Sequence, residues 1–203
     1  MKRQHVSAGI LISLVLATSP ASATPFVVRA GGENKVVFVS KASMESFEGK
    51  TNKLEGTINV DPAKVGDSAA VHFEVDLASL DTGIAMRNKH MRENHLETAK
   101  YPKAVFDGAT VRGPGDAVLT SGKTIPLDVE GTFTLHGVSR RIRITVQTTY
   151  QPNDGGRITF QTRFPVLLAD YAISRPQFLF LKLAESQEVR VSGVAHARAG
   201  DSP

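Results

Sequence analysis

The 203-residue chain carries 24 basic and 20 acidic side chains, a formal charge of +4, and no cysteine. That near balance lacks the basic stripe of a nucleic-acid binder, and the missing thiols exclude both a disulfide scaffold and a cysteine nucleophile. The length suffices for one domain with a substantial core.

Lys2 and Arg3 precede an apolar run of 12 residues, 6–17, and Ala21-Ser22-Ala23 follows as a small-residue cleavage site. The run is short of the roughly 18 residues that a membrane-spanning helix needs, so residues 1–23 read as a signal peptide and imply export. Removing Lys2 and Arg3 takes away two positive charges and no negative one, leaving the mature chain at +2. One domain is expected over 24–198, with a frayed tail at 199–203.

From there the chain alternates. In VHFEVDL, Val71, Phe73, Val75 and Leu77 point one way and His72, Glu74 and Asp76 the other, as in a strand with one apolar and one wet face. Comparable runs cover 36–39, 54–60, 104–111, 125–135, 141–150, 158–166 and 189–196, which makes eight candidate strands. The punctuation between them, Asp61-Pro62, Gly113-Pro114-Gly115, His136-Gly137 and Asn153-Asp154-Gly155-Gly156, is of the hairpin kind. An antiparallel all-β domain follows. Only DTGIAMRNKHMRENHLETAKYP breaks the rhythm, because residues 86–99 contain no Gly or Pro and a single β-branched residue, Thr98. A helical segment is expected over 84–99, capped by Asp81 or Thr82, stopped by Tyr101-Pro102, and closing one end of a barrel.

The chemistry-bearing residues weigh against an enzyme. On an α-helix His90 and His95 project about 140° apart, a poor spacing for ligands of one metal, so no metal site is expected. Arg87 lies three residues before His90 on nearly the same face, a cation beside a hydrogen-bond donor that reads either as a solvated surface or as a docking place for an anionic group. His136 occupies a turn. Arg141 and Arg143 alternate with isoleucines on the wet face, which leaves Arg140 as a rim candidate. No Gly-x-Ser-x-Gly elbow or phosphate loop occurs, and Glu74, Asp76 and Asp128 fall at polar-face spacing. The apolar run through Phe178, Phe180 and Leu183, after Tyr171, reads either as a strand buried on both faces or as a lip over the barrel mouth.

FVSKASMESFEGKTNKLEGTINVD, LDTGIAMRNKHMRENHLETAKYPKAVF and GTFTLHGVSRRIRITV resemble the YceI-like, polyisoprenoid-binding proteins of the bacterial periplasm. The second segment is similar to that family's Thr-Gly, Arg-Asn-x-His and Tyr-Pro-x-x-x-Phe arrangement. LLADYAISRPQF departs from the Arg-x-x-Phe-Gly segment of many members, so headgroup contacts from that region do not transfer. The resemblance implies an extended eight-stranded antiparallel barrel, lipocalin-like, whose apolar tunnel holds a polyisoprenoid or other amphiphilic lipid as ligand, with no cofactor.

The expectation is therefore a periplasmic carrier without catalysis, open to transient membrane contact and to homodimer formation. Its lining candidates are Val71, Phe73, Val75, Leu77, Phe106, Val129, Phe133, Ile142, Ile144 and Phe160. Its headgroup or rim candidates are Arg87, His90, His136 and Arg140. Two alternatives stay open: a metal-assisted or acid–base enzyme that gathers His90, His95 and His136, and a structural or partner-binding barrel with a filled interior.

Overall fold

The computed structural model describes residues 24–41, 46–66, 69–115, 117–153, 156–175, 177–178 and 181–198; the expected leader 1–23 and tail 199–203 lie outside the described residues. The strands are β1 (Thr24–Val28), β2 (Lys35–Lys41), β3 (Ser46–Thr51), β4 (Leu54–Val60), β5 (Ala70–Asp76), β6 (Lys103–Arg112), β7 (Thr124–Leu135), β8 (Val138–Gln151), β9 (Arg157–Leu167), the two-residue β10 (Gln177–Phe178) and β11 (Leu181–Lys182), and β12 (Ser186–Ala197). Between β5 and β6 stands the helix α1 (Ala85–His90), continued by a π-helical turn at Met91–His95.

Antiparallel pairing runs β1-β4-β5-β6-β7-β8-β9-β12 and returns from β12 to β1, which closes a barrel. β2 and β3 do not add a ninth and tenth position. β12 pairs β2 over residues 188–192 and β1 at 196–197, so β1 and β2 lie end to end along one flank of β12. β4 and β3 lie end to end beyond them, across from β1 and β2 respectively. Eight positions result, and closure removes the exposed strand edge that an open sheet of this size would present.

The alternation seen in sequence is the pleat of this wall. Along β7, Ile125, Leu127, Val129, Phe133 and Leu135 are buried and Pro126, Asp128 and Thr132 exposed. β1 and β3 lack that signal, since TPFVV and SFEGKT are too short or too mixed to alternate. Gly49 in β3 leaves room for the Phe38 ring of β2 to lie across it: a Cβ there would stand 2.1 Å from that ring, which would have to move.

The wall is incomplete at one corner. β8 pairs β9 only through residues 146–151, while β9 continues along β12 to Leu167. A 3₁₀ turn at Leu168–Tyr171 fills the gap, with Tyr171 buried edge-on against Phe133 at 5.5 Å and Arg140 Nε donating to the Asp170 carbonyl at 3.0 Å. Half-buried Ile142 packs against the core at this corner.

The two barrel ends differ. At one, loops 61–69 and 113–123 tie to each other through Val65 N–H to Ala117 O (2.9 Å) and Leu119 N–H to Pro62 O (2.7 Å), with Val65, Ala117 and Leu119 buried. The other end carries α1, the π turn and the 3₁₀ turn at Leu168–Tyr171.

The helical segment is shorter than residues 84–99, and its caps differ from those expected. Asp81 and Thr82 do not cap the N-terminus, whose cap Ile84 makes no side-chain bond. They bind Asn88 instead: its Oδ1 accepts from the Thr82 N–H (2.8 Å) and hydroxyl (2.7 Å), and its Nδ2 donates to Asp81 Oδ1 (2.7 Å). The helix also ends at Leu96, before Tyr101-Pro102, because Glu97 takes a positive φ of 44°.

Candidate ligand-binding cavity

The barrel encloses a cavity of about 1030 Å³, at the top of the roughly 300–1,000 Å³ range of small-molecule sites. Val71, Phe73, Val75, Leu77, Phe106, Val129, Phe133, Ile144 and Phe160 line it, joined by Phe38, Leu54, Ile58, Leu127, Ile158, Val189 and Val191. Ile142 is the exception among the lining candidates: it belongs to the part of β8 that pairs β7 but not β9, where the 168–171 turn intervenes, and it is not among the residues of the cavity wall. The added residues obey the same alternation and were recoverable from it.

Phe73 and Phe160 meet inside the barrel with ring centroids 5.2 Å apart. β5 and β9 stand on opposite sides of the circuit, so this contact crosses the lumen and narrows it. The wall continues past the constriction in both directions, to Val60, Ala69 and Val111 at the looped end and to Phe38, Phe47 and Leu80 at the helical end. Ile84 and Met86 also line the cavity yet are 52% and 62% exposed, so the cavity opens to solvent beside α1.

That mouth is polar. Among the described residues the wall contains no aspartate or glutamate, and its ionisable members are Arg87, His90 and His95. Backbone bonds between Lys50 and Asp81, 2.9 Å in each direction, tether the segment to β3. Arg87 donates from Nε to the Thr82 hydroxyl (2.9 Å) and from Nη2 to the Thr82 carbonyl (2.7 Å), and its guanidinium lies 4.1 Å over the Phe47 ring. A cation over an aromatic face is held in place without a carboxylate partner.

The π turn changes the relation of the two histidines. Its i to i−5 bond, Leu96 N–H to Met91 O at 2.8 Å, widens the turn so that residues five apart share a side. His90 and His95, directed apart on an α-helix, both face the cavity. His95 Nδ1–H donates to the Ser174 carbonyl at 3.2 Å. Burial holds its ring below the ordinary imidazole range against the pull of that carbonyl, and the neighbouring His90 lowers it further. A π insertion leaves no plain mark in a sequence, which is why the pairing was missed.

His136 and Arg140 are placed away from the cavity wall. His136 is buried in its turn at φ 51°, donates from Nδ1 to the Tyr171 carbonyl (3.0 Å), packs on the Tyr101 ring at 4.6 Å and has Nε2 3.4 Å from Glu97 Oε1. It joins three segments of the helical end rather than touching the lumen. Arg140 holds the turn at 168–171. His90, His95 and His136 form no common cluster, and among the described residues no group of three or more His, Cys, Asp or Glu is arranged to hold a metal ion. Side chains of residues 176–182 lie outside the description, so the reading of Phe178 and Phe180 is untouched, while Leu183 lines the cavity.

A closed antiparallel barrel around an apolar cavity, open at one helix-bordered end, defines a lipocalin-like fold. The chain belongs to the YceI-like domain family, whose model matches residues 28–196. A UPF0312 protein of Vibrio parahaemolyticus is 31% identical over 178 residues, covering 85% of this chain and 89% of its own. One from Shewanella sp. (strain ANA-3) is 33% identical over 181 residues, covering 85% and 88%. Among solved structures, a polyisoprenoid binding domain from Saccharophagus degradans, implicated in plant cell wall breakdown, superposes with a TM-score of 0.68 at 20% identity, covering 87% of this chain and 99% of that one. Burkholderia cenocepacia BcnA gives 0.64 at 21% identity, covering 80% and 96%. At those identities the two structures establish a shared fold.

Proposed function

We propose that this chain is a periplasmic binding protein that encloses a polyisoprenoid or similar long-chain amphiphile and carries it without catalysing a reaction. The observation that carries the reading is the apolar cavity of about 1030 Å³ within the barrel, continuous from the looped end to the helical mouth. The polyisoprenoid-binding domain with the same fold supports the ligand class. The leader pattern at 1–23 supports the compartment. At about 0.8 kcal/mol per buried CH₂, a dozen tail carbons contribute roughly 10 kcal/mol before the costs of association, so tail burial alone gives useful affinity.

Native mass spectrometry of protein purified from its own cells should show an added mass of lipid size, released by organic solvent. Ile144→Phe, which projects into the lumen from β8, should lower lipid uptake at least about tenfold while changing stability by about 1 kcal/mol or less. Protein that emerges without lipid and takes up no long-chain isoprenoid in vitro would sink the reading.

A further inference from the structure

We propose that the helical mouth is a receptor for an oxyanion head, a carboxylate or a phosphate monoester, on the enclosed amphiphile; this rests on the carrier reading above. The ionisable residues on the cavity wall are one arginine and two histidines, all from the segment 87–95 at one end, with no wall carboxylate to neutralise them among the described residues. Among the described residues, a lipid entering that cavity meets basic side chains at this end alone, which orients it head toward α1 and tail toward the looped end.

The groups are held ready. Arg87 spends Nε and Nη2 on Thr82 and rests on Phe47, which leaves Nη1 with no protein partner among the described residues. His95 commits its Nδ1–H to the Ser174 carbonyl, so Nε2 is the nitrogen left for a ligand. That nitrogen accepts the remaining hydroxyl of a phosphate monoester or, once protonated, donates to a carboxylate. Ser40 supplies an independent sign. Its side chain is 1% exposed and lines the cavity, yet its hydroxyl has no hydrogen-bond partner among the described residues. It stands opposite Phe47 in the β2–β3 ladder, and so at the same end as Arg87. Buried hydroxyls are normally paired, and a ligand oxygen at this mouth supplies the partner.

The test measures binding of geranylgeranyl phosphate, geranylgeranoic acid and geranylgeraniol, which share one tail, by isothermal titration at neutral pH. One or both anions should bind about tenfold or more tighter than the alcohol, as expected of hydrogen bonds to charged groups. Gain by the phosphate alone assigns a phosphate head, and gain by both assigns any oxyanion. Arg87→Gln should bring the anions to within about twofold of the alcohol, whose own affinity stays unchanged. Because Arg87→Gln also breaks two bonds to Thr82, the double variant His90→Gln/His95→Gln provides a second reading, with the alcohol titration confirming an intact lumen in each. Equal or tighter binding of the alcohol by the unaltered protein overturns the headgroup assignment while leaving the carrier reading standing, as does an anion preference that survives both variants. Failure of all three ligands to bind brings down the carrier reading and the headgroup with it.

Discussion

Two histidines on opposite sides of the barrel wall titrate in opposite directions. On the outer face, the hydrogen bond from His72 Nδ1 to Asp107 (2.7 Å) outweighs the cost of burial and raises the His72 ring above its usual value of about 6.5. Its contribution to stability is therefore complete below about pH 6.5 and disappears as pH climbs through the raised folded value. Both partners are well exposed, so the effect is a fraction of a kcal/mol. His95, whose folded value is depressed, does the reverse: stability is whole above about pH 6.5 and declines as pH falls through the depressed value. Nuclear magnetic resonance titration should give the two rings separate transitions on either side of 6.5. In urea unfolding, His72→Gln should weaken the protein at pH 5.5 and leave it unchanged at pH 9, while His95→Gln should flatten the acid-side decline.

The helical segment depends on one side chain. Asn88 is buried, accepts two hydrogen bonds from Thr82 and donates one to Asp81, joining the approach to α1 to the helix it precedes. Asn88→Ala strands the Thr82 N–H and should cost about 2–4 kcal/mol. The loss should be local first: hydrogen exchange should quicken across 82–96 before it changes in β7. This element was legible in part. Its helicity was written in a stretch free of Gly and Pro, whereas its end and the π turn were not. Around them stand contacts with β3, through Lys50 and Asp81, and with Ser174, through His95, partners respectively about 30 and 80 positions away along the chain, which no local pattern reports. The expected caps failed for a local reason, since the Asn88 side chain, six or seven residues along, competed successfully for Asp81 and Thr82.

The barrel as a whole is narrowed where Phe73 touches Phe160 across the lumen. Phe160→Ala should cost about 2–4 kcal/mol, toward the low side for a core phenylalanine because one face of the ring borders the cavity. It should also widen the waist. In competition experiments the variant should gain on branched or ring-bearing ligands relative to straight chains, and an unchanged selectivity would show that the waist does not sort ligands. His136 and Arg140 act at this scale too, by joining the loops of the helical end, so their replacement should lower stability without redirecting ligand choice.

Period-two alternation is a local property of the chain, set by which side of a pleat each residue occupies, and so the longer strands and their inward face could be read before any fold was known, with nine of the ten candidates falling on the cavity wall, while the short β1 and β3 could not. Closure could not, because pairing β12 with β1 and β2 joins residues about 150 or more positions apart. Nor could the cavity: the same inward side chains fill a narrow barrel or surround space in a wider one, and strand stagger decides between them. The meeting of Arg87, His90, His95 and Ser40 at one mouth belongs to the same class, since it depends on a π turn and a β3 tether that arise only when distant strands supply the partners.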